Sequence, residues 1–295
     1  LTPDDSLPQD VSHSIRVIAR GEALRDAIKQ ERLNGRRIGL VPTMGALHEG
    51  HLSLVRAARE VCDCVVATIF VNPTQFGPQE DFHKYPRTLE SDLEALAEAG
   101  VSWVFVPSAE EMYPEGFSTY VQPPKVAARW EGECRSDHFR GVVTVVLKLF
   151  LLAAADVAFF GQKDFQQLLV IQHMARDLNL PVEVRRCPIV REPDGLAMSS
   201  RNRYLDNAER KRALALFHAL QTVERQVADG VRDTGEMIEA MKRTLTDAEI
   251  SRIDYVTIAD AQTLEPIPCL DREGVALIAA FVGNTRLIDN CLLKV

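Results

Sequence analysis

Two histidines three residues apart, His48 and His51, lie in the run Pro42-Thr43-Met44-Gly45-Ala46-Leu47-His48-Glu49-Gly50-His51. A short apolar stretch precedes that run and an amphipathic one follows it. Pro42 ends a strand, Gly45 and Gly50 let backbone approach a ligand closely, and a helix N-terminus offers free N–H groups to anionic oxygens. Two imidazoles at such a phosphate site can bond its oxygens and steady charge during displacement at phosphorus. The same spacing would also suit zinc, but no third ligand or nearby cysteine accompanies it.

Four other runs carry candidate chemistry. Phe160-Gly161-Gln162-Lys163-Asp164-Phe165-Gln166-Gln167 repeats the strand, glycine and helix-start design, with Lys163 supplying charge for a phosphate. Asp164 is placed either to cap that helix or to face a ligand. Asn72-Pro73-Thr74-Gln75-Phe76-Gly77 puts polar amides after another strand, which suits a small polar substrate or an ordinary turn. Asp92 follows Tyr85-Pro86-Arg87-Thr88 on a helix and would be a magnesium ligand only if it lay over the phosphates. Finally, residues 194–202 form a small-polar loop with two hydroxyls and Arg201, fit either to hold a triphosphate or to link two units.

The elements that must position these residues read as a parallel sheet. Apolar runs at 37–41, 65–71, 101–106 and 156–160 read as buried strands, with a further strand at 182–187. Amphipathic stretches at 52–61, 88–99, 141–154 and 164–178 read as the helices between them. That alternation predicts a Rossmann-like α/β fold with helices on both faces, whose ligands bind beyond the strands' carboxyl ends. After about residue 191 the pattern becomes two helices, 206–229 and 234–246, with Asp206 and Thr234 as N-caps. Three β-rich runs follow, at 253–259, 275–282 and 286–294. The expected organisation is a nucleotide-binding domain over 1–188 and a smaller α+β domain over 189–295 that closes on it.

Composition narrows the function classes. A 295-residue chain with 46% hydrophobic and 26% charged residues has globular proportions, not those of a disordered chain. Its net charge of −8 argues against a nucleic-acid partner held by phosphate attraction. The six cysteines are scattered and read as reduced cytosolic thiols. The apolar segment 141–160 contains Lys148 and Asp156, so a buried helix and strand explain it better than a membrane span. The acidic opening residues lack a signal-peptide layout, and a cytoplasmic location is expected.

In order along the chain, PTMGALHEGH, VNPTQFGPQEDFHKYPRT, HFRGVVTVVLKLF, FGQKDFQQL and DGLAMSSRNRYL resemble the signature blocks of a known family. The family is the pantothenate synthetases (pantoate–β-alanine ligases), of the HIGH-motif nucleotidyltransferase superfamily. The likeness runs from about Ile15 to the C-terminus. It implies ATP-dependent condensation of pantoate with β-alanine to pantothenate, a coenzyme A precursor, through a pantoyl adenylate, with AMP and pyrophosphate released. It implies an ATP site made by Met44, Gly45, Ala46, Leu47, His48, Glu49, Gly50 and His51. Gly161, Gln162, Lys163, Asp164, Val190, Met198, Ser199, Ser200 and Arg201 complete that site. His51, with His48 and Lys163, would be catalytic. Gln75 and Gln167 would hold pantoate, Gln75 would also meet β-alanine, and Asp92 would contact the magnesium ion. A homodimer is also implied.

The chain departs from the family pattern at Arg135-Ser136-Asp137-His138-Phe139, where relatives show Arg-Pro-Gly-His-Phe, and at Ile189, where a threonine is usual. Its first dozen residues look like an extension of the family core. Two rival readings are a nucleotidyltransferase that stops after transferring a nucleotide, and a regulatory module that binds ATP without turnover. The first does not call for the glutamine pair. A tRNA-charging enzyme would need an anticodon-binding region for which the chain has no room.

Overall fold

The central strands of the first sheet are apolar nearly throughout because helices cover both of their faces. The computed structural model describes residues 15–78 and 80–295; the expected N-terminal extension lies outside the described residues. The first part of the chain runs β1 (Arg16–Ile18), α1 (Gly21–Leu33), β2 (Ile38–Thr43), α2 (Glu49–Arg59), β3 (Cys64–Ile69), α3 (Leu89–Glu98) and β4 (Trp103–Phe105). Two single-turn helices follow, α4 (Ala109–Met112) and α5 (Glu131–Cys134), then α6 (His138–Ala153), β5 (Val157–Gly161), α7 (Phe165–Asp177) and β6 (Glu183–Cys187). The six strands form one sheet in the order β1-β4-β3-β2-β5-β6, and every pairing is parallel.

Side-chain alternation sorts the strand residues between two cores. Ile38, Leu40, Cys64 and Val66 pack with Leu24 and Ile28 of α1 and with α6 and α7, whereas Val41, Val65 and Ala67 pack with Leu54 and Val55 of α2 and Leu96 of α3. The segment 141–160 is a helix, a left-handed Ala154 and a strand, as expected. No described helix is long and apolar enough to cross a membrane. All six cysteines are free thiols.

The second unit adds α8 (Asn207–Ala228), α9 (Thr234–Asp247), β7 (Ile253–Asp260), β8 (Gly274–Val282) and β9 (Thr285–Leu293). Its strands form a separate antiparallel sheet in the order β7-β8-β9. Leu216, Leu220, Met237 and Leu245 of the two helices pack with Val256, Ile258, Ile278 and Ala280 of the sheet. Ala259, Val275 and Leu277 instead join the core containing α6 and α7, which docks this sheet on the first unit. Asp206 caps α8 as expected, in a reciprocal capping box with Glu209. The cap of α9, however, is Asp233 rather than Thr234: Asp233 accepts from the Glu236 N–H, while the Thr234 hydroxyl donates to the Ile267 carbonyl.

Candidate active site

Strand order opens a crevice. β2 runs on through Pro42, which was expected to end it, and pairs with β3 from Ile38 to Thr43, but with β5 only at Gly39–Val157 and Leu40–Ala158. Beyond Leu40 the two central strands part, so the chain segments after them flank a gap at the switch point of the sheet. A cavity of about 220 Å³ lies there. A wider cleft of about 1110 Å³ continues towards the three-stranded sheet and shares Lys163, Asp164, Gln167, Ser199 and Arg201 with the cavity.

The first junction is braced from inside its own unit. Gly45 and Ala46 both take left-handed conformations, with φ of 78° and 51°. A Cβ at Gly45 would lie 3.0 Å from Asp92 Oδ2, so glycine is required there by conformation and by space. The Asp92 carboxylate accepts from the N–H groups of Ala46 and Leu47, each at 2.8 Å, and from the Thr88 hydroxyl. That corrects the expected magnesium role: Asp92 is buried behind the turn, with each oxygen already engaged.

His48 and His51 then cap α2 reciprocally. His48 Nδ1 accepts from the Gly50 N–H at 3.1 Å, and His51 Nδ1 accepts from the His48 N–H at 3.3 Å. The ring centroids are 4.1 Å apart. Burial, and next the Lys163 charge, holds the His48 pKa down at about 4. Burial, then His48 and Lys163, hold His51 at about 3. Both rings are therefore neutral near pH 7. With each Nδ1 accepting, the remaining proton sits on Nε2, so each ring keeps one N–H donor for the cavity it lines.

The second junction is held from outside. Asn290 on β9 donates to the carbonyls of Gln162 and Lys163 at 3.0 and 2.8 Å. Asp164 makes no side-chain capping bond; instead it lines the cavity beside Lys163, with Gln167 one turn further on. The segment 190–202 is tied to both units. Arg191 pairs with the buried Asp289 of β9 at 2.7 Å, Met198 donates its N–H to the Val190 carbonyl, and the Ser200 hydroxyl donates to the Ala46 carbonyl at 3.0 Å.

Gln75 is the most constrained of the candidate substrate residues. Buried Asn72 donates to its side-chain oxygen at 2.9 Å, and its side-chain nitrogen points at Met44 Sδ, 3.2 Å away. Its main-chain carbonyl accepts from His138 Nδ1 at 2.9 Å. A Cβ at Gly141 would fall 2.3 Å from the Thr74 carbonyl, so that glycine lets α6 pack against this turn. Sequence reasoning did not single out Asn72, Asn290 or His138 as supports, since each acts through a partner distant in sequence or through a local turn.

The expected site residues mostly converge. Met44, His48, Gly50, His51, Gln75, Gly161, Lys163, Asp164, Gln167, Val190, Met198, Ser199, Ser200 and Arg201 all line the cavity, as does the departing residue Ile189. Gly45, Ala46 and Leu47 shape the turn behind it, Glu49 pairs outward with Arg56, and Gln162 bonds to Asn290. Among the described residues no three His, Cys, Asp or Glu side chains converge to hold a metal. Among the described residues Asp164 is the one carboxylate lining the cavity, an arrangement that would fit an ion carried on phosphates rather than caged by protein.

Comparison with known proteins shows the family. Residues 16–292 match the family model for pantoate-beta-alanine ligase. A pantothenate synthetase of Thermotoga petrophila is 50% identical over 279 residues, which cover 95% of this chain and all of that protein. A crystal structure of pantothenate synthetase from Thermus thermophilus superposes with a TM-score of 0.90 at 46% identity, covering 95% of this chain and 100% of that one. The pantoate-beta-alanine ligase of Francisella tularensis, solved in complex with beta-gamma ATP and beta-alanine, has a TM-score of 0.78 at 30% identity, over 94% of this chain and 97% of that one.

Proposed function

This chain belongs to the pantoate-beta-alanine ligase family, and from that premise we propose that it joins pantoate to β-alanine through a pantoyl adenylate made from ATP. A carboxylate acylates poorly until one of its oxygens becomes a leaving group. In the first half-reaction a pantoate carboxylate oxygen attacks the α-phosphorus, the bond to the bridging β-phosphate oxygen breaks, and pyrophosphate departs. In the second, the β-alanine nitrogen attacks the acyl carbon, the acyl–oxygen bond to AMP breaks, and the nitrogen releases a proton.

The observation that carries this reading is that two kinds of group line one cavity: His48, His51 and Lys163, suited to phosphate charge, and the amides of Gln75 and Gln167. The neutral imidazoles donate Nε2–H bonds to charge gathering on the α-phosphate, and Lys163 offsets phosphate charge. Their depressed pKa values make them weak bases, so they act as donors rather than proton acceptors. Gln75, fixed by Asn72 and Met44, and Gln167 present amides that donate and accept, which suits an acid bearing a hydroxyl beside its carboxylate. Val142, Val145 and Val146 give the same cavity an apolar wall for the acid's carbon skeleton. Magnesium bound with the nucleotide would supply further neutralisation of phosphate charge, and Asp164, a cavity-lining carboxylate, would be the side chain available to hold it.

Titration of single variants tests the assignment. Gln75→Ala or Gln167→Ala is expected to weaken pantoate by about tenfold or more, since a lost buried polar contact costs roughly 1–3 kcal/mol. The ATP constant is expected to move less than about threefold. Equal shifts in both constants would mean that the amides support the whole site instead of reading the acid.

A further inference from the structure

Two adjacent carboxylates outside the chemistry proposed above each grip an arginine, one arginine from the 194–202 loop and the other from the end of α5. Asp81 takes Nε and Nη2 of Arg201 at 2.9 and 2.8 Å, which leaves Nη1 outside the pair on a side chain that lines the cavity. Neighbouring contacts fasten the same two segments: the Tyr204 hydroxyl donates to the Lys84 carbonyl at 3.1 Å, and the Arg201 guanidinium lies 5.9 Å from the centre of the Tyr85 ring. Glu80 meanwhile takes Nε and Nη2 of Arg135 at 2.8 and 2.6 Å. Arg135 in turn contacts His138 Nε2 at 3.2 Å and the Gln75 carbonyl at 3.4 Å, and His138 holds that carbonyl from Nδ1.

We propose that Glu80 and Asp81 are a pair of positioning residues, Asp81 aiming Arg201 at the nucleotide phosphates and Glu80 fixing Arg135 and His138 so that Gln75 stays in place for pantoate. The idea rests on the functional reading above and adds a division of labour within it. A bidentate carboxylate fixes both the place and the plane of a guanidinium, which a single hydrogen bond cannot do. Because the two acids are consecutive in the chain, the segment that carries them holds the nucleotide side and the acid side of the cavity in one register.

Steady-state kinetics on the full chain tests this. Asp81→Asn is expected to raise KM for ATP about tenfold while KM for pantoate stays within about threefold. Glu80→Gln is expected to do the reverse. Asp81→Glu, which keeps the charge, recovers most of the ATP affinity, and Asp81→Ser repeats the asparagine result. A segment that was merely structural would move both constants in both variants. That outcome overturns the proposal, as do unchanged constants or the failure of both Asp81→Asn and Asp81→Ser to fold. Wild-type protein that makes no pantothenate from pantoate, β-alanine and ATP overturns the functional reading and this inference together. Wild-type turnover with an unaltered ATP constant in Asp81→Asn overturns the inference alone.

Discussion

The two strand-to-helix junctions look alike in sequence, each a strand, a glycine and a helix start, yet they are stabilised by different parts of the molecule. The β2–α2 turn is locked within the first unit, by Asp92 behind it and by its own histidine capping box. The β5–α7 turn has no side-chain cap, and its carbonyls are held by Asn290 from the three-stranded sheet of the second unit. The first junction is therefore held mainly from within its own unit, with the Ser200 hydroxyl on the Ala46 carbonyl as a contact from beyond it, while the other is shaped by how the second unit docks. His48 and His51 belong to the more rigid junction and Lys163 to the dependent one.

The largest effect expected from breaking this arrangement is at His51. His51→Ala is expected to keep the fold and lose adenylate formation by about two orders of magnitude or more, measured as pyrophosphate release. Near-normal release from folded protein would remove the rigid junction from the chemistry. A paired substitution sharpens the contrast. Asp92→Ala leaves two inward-facing N–H groups without their acceptor and is expected to cost about 2–4 kcal/mol in denaturant unfolding. Asn290→Ala is expected to cost about 1 kcal/mol or somewhat more, and to raise KM for ATP roughly fivefold by loosening Lys163. If Asn290→Ala proves the more destabilising, or leaves ATP use unchanged, the second junction is not held from outside.

The smallest effect is in pH dependence. His48 and His51 are held at about 4 and 3, below the ordinary 6.5, so the unfolded chain binds more protons than the folded one between those values. Their contribution to stability is complete above the unfolded value and is lost as pH falls below it. His138, depressed to about 4 mainly by burial, acts in the same direction. The melting temperature is expected to fall between pH 7 and 5, and His51→Gln to reduce that fall by about 3 °C or more. Asn290→Ala should leave the slope intact, because the second junction carries no imidazole. A wild-type melting temperature independent of pH over this range would contradict the burial of the histidine pair.

Much of this was legible in the sequence because the signals are local. Buried parallel strands are apolar nearly throughout, and a glycine followed by a helix start marks each cavity-facing turn, so the sheet and both junctions could be read from short windows, whereas lining residues such as Val190 and Met198 came only with the family resemblance. The first strand and helix were missed: β1 has only three residues, too few to show alternation, and α1 starts without a side-chain cap to announce it. Thr234 and Asp233 are both competent caps, and only the fold decides that the Thr234 hydroxyl is spent on Ile267. Asp92 was misread for a similar reason, since a carboxylate on a helix carries no sign of what lies above it. The clasps Glu80–Arg135 and Asp81–Arg201 join residues 55 and 120 positions apart, beyond any periodic pattern.

The central claim is that one cavity adenylates pantoate before any amine is needed. Exchange of labelled pyrophosphate into ATP, with pantoate present and β-alanine withheld, tests it most directly. Exchange that requires pantoate, and that falls about a hundredfold or more in His51→Ala, is the predicted result. Exchange without pantoate, or none until β-alanine is added, would contradict it.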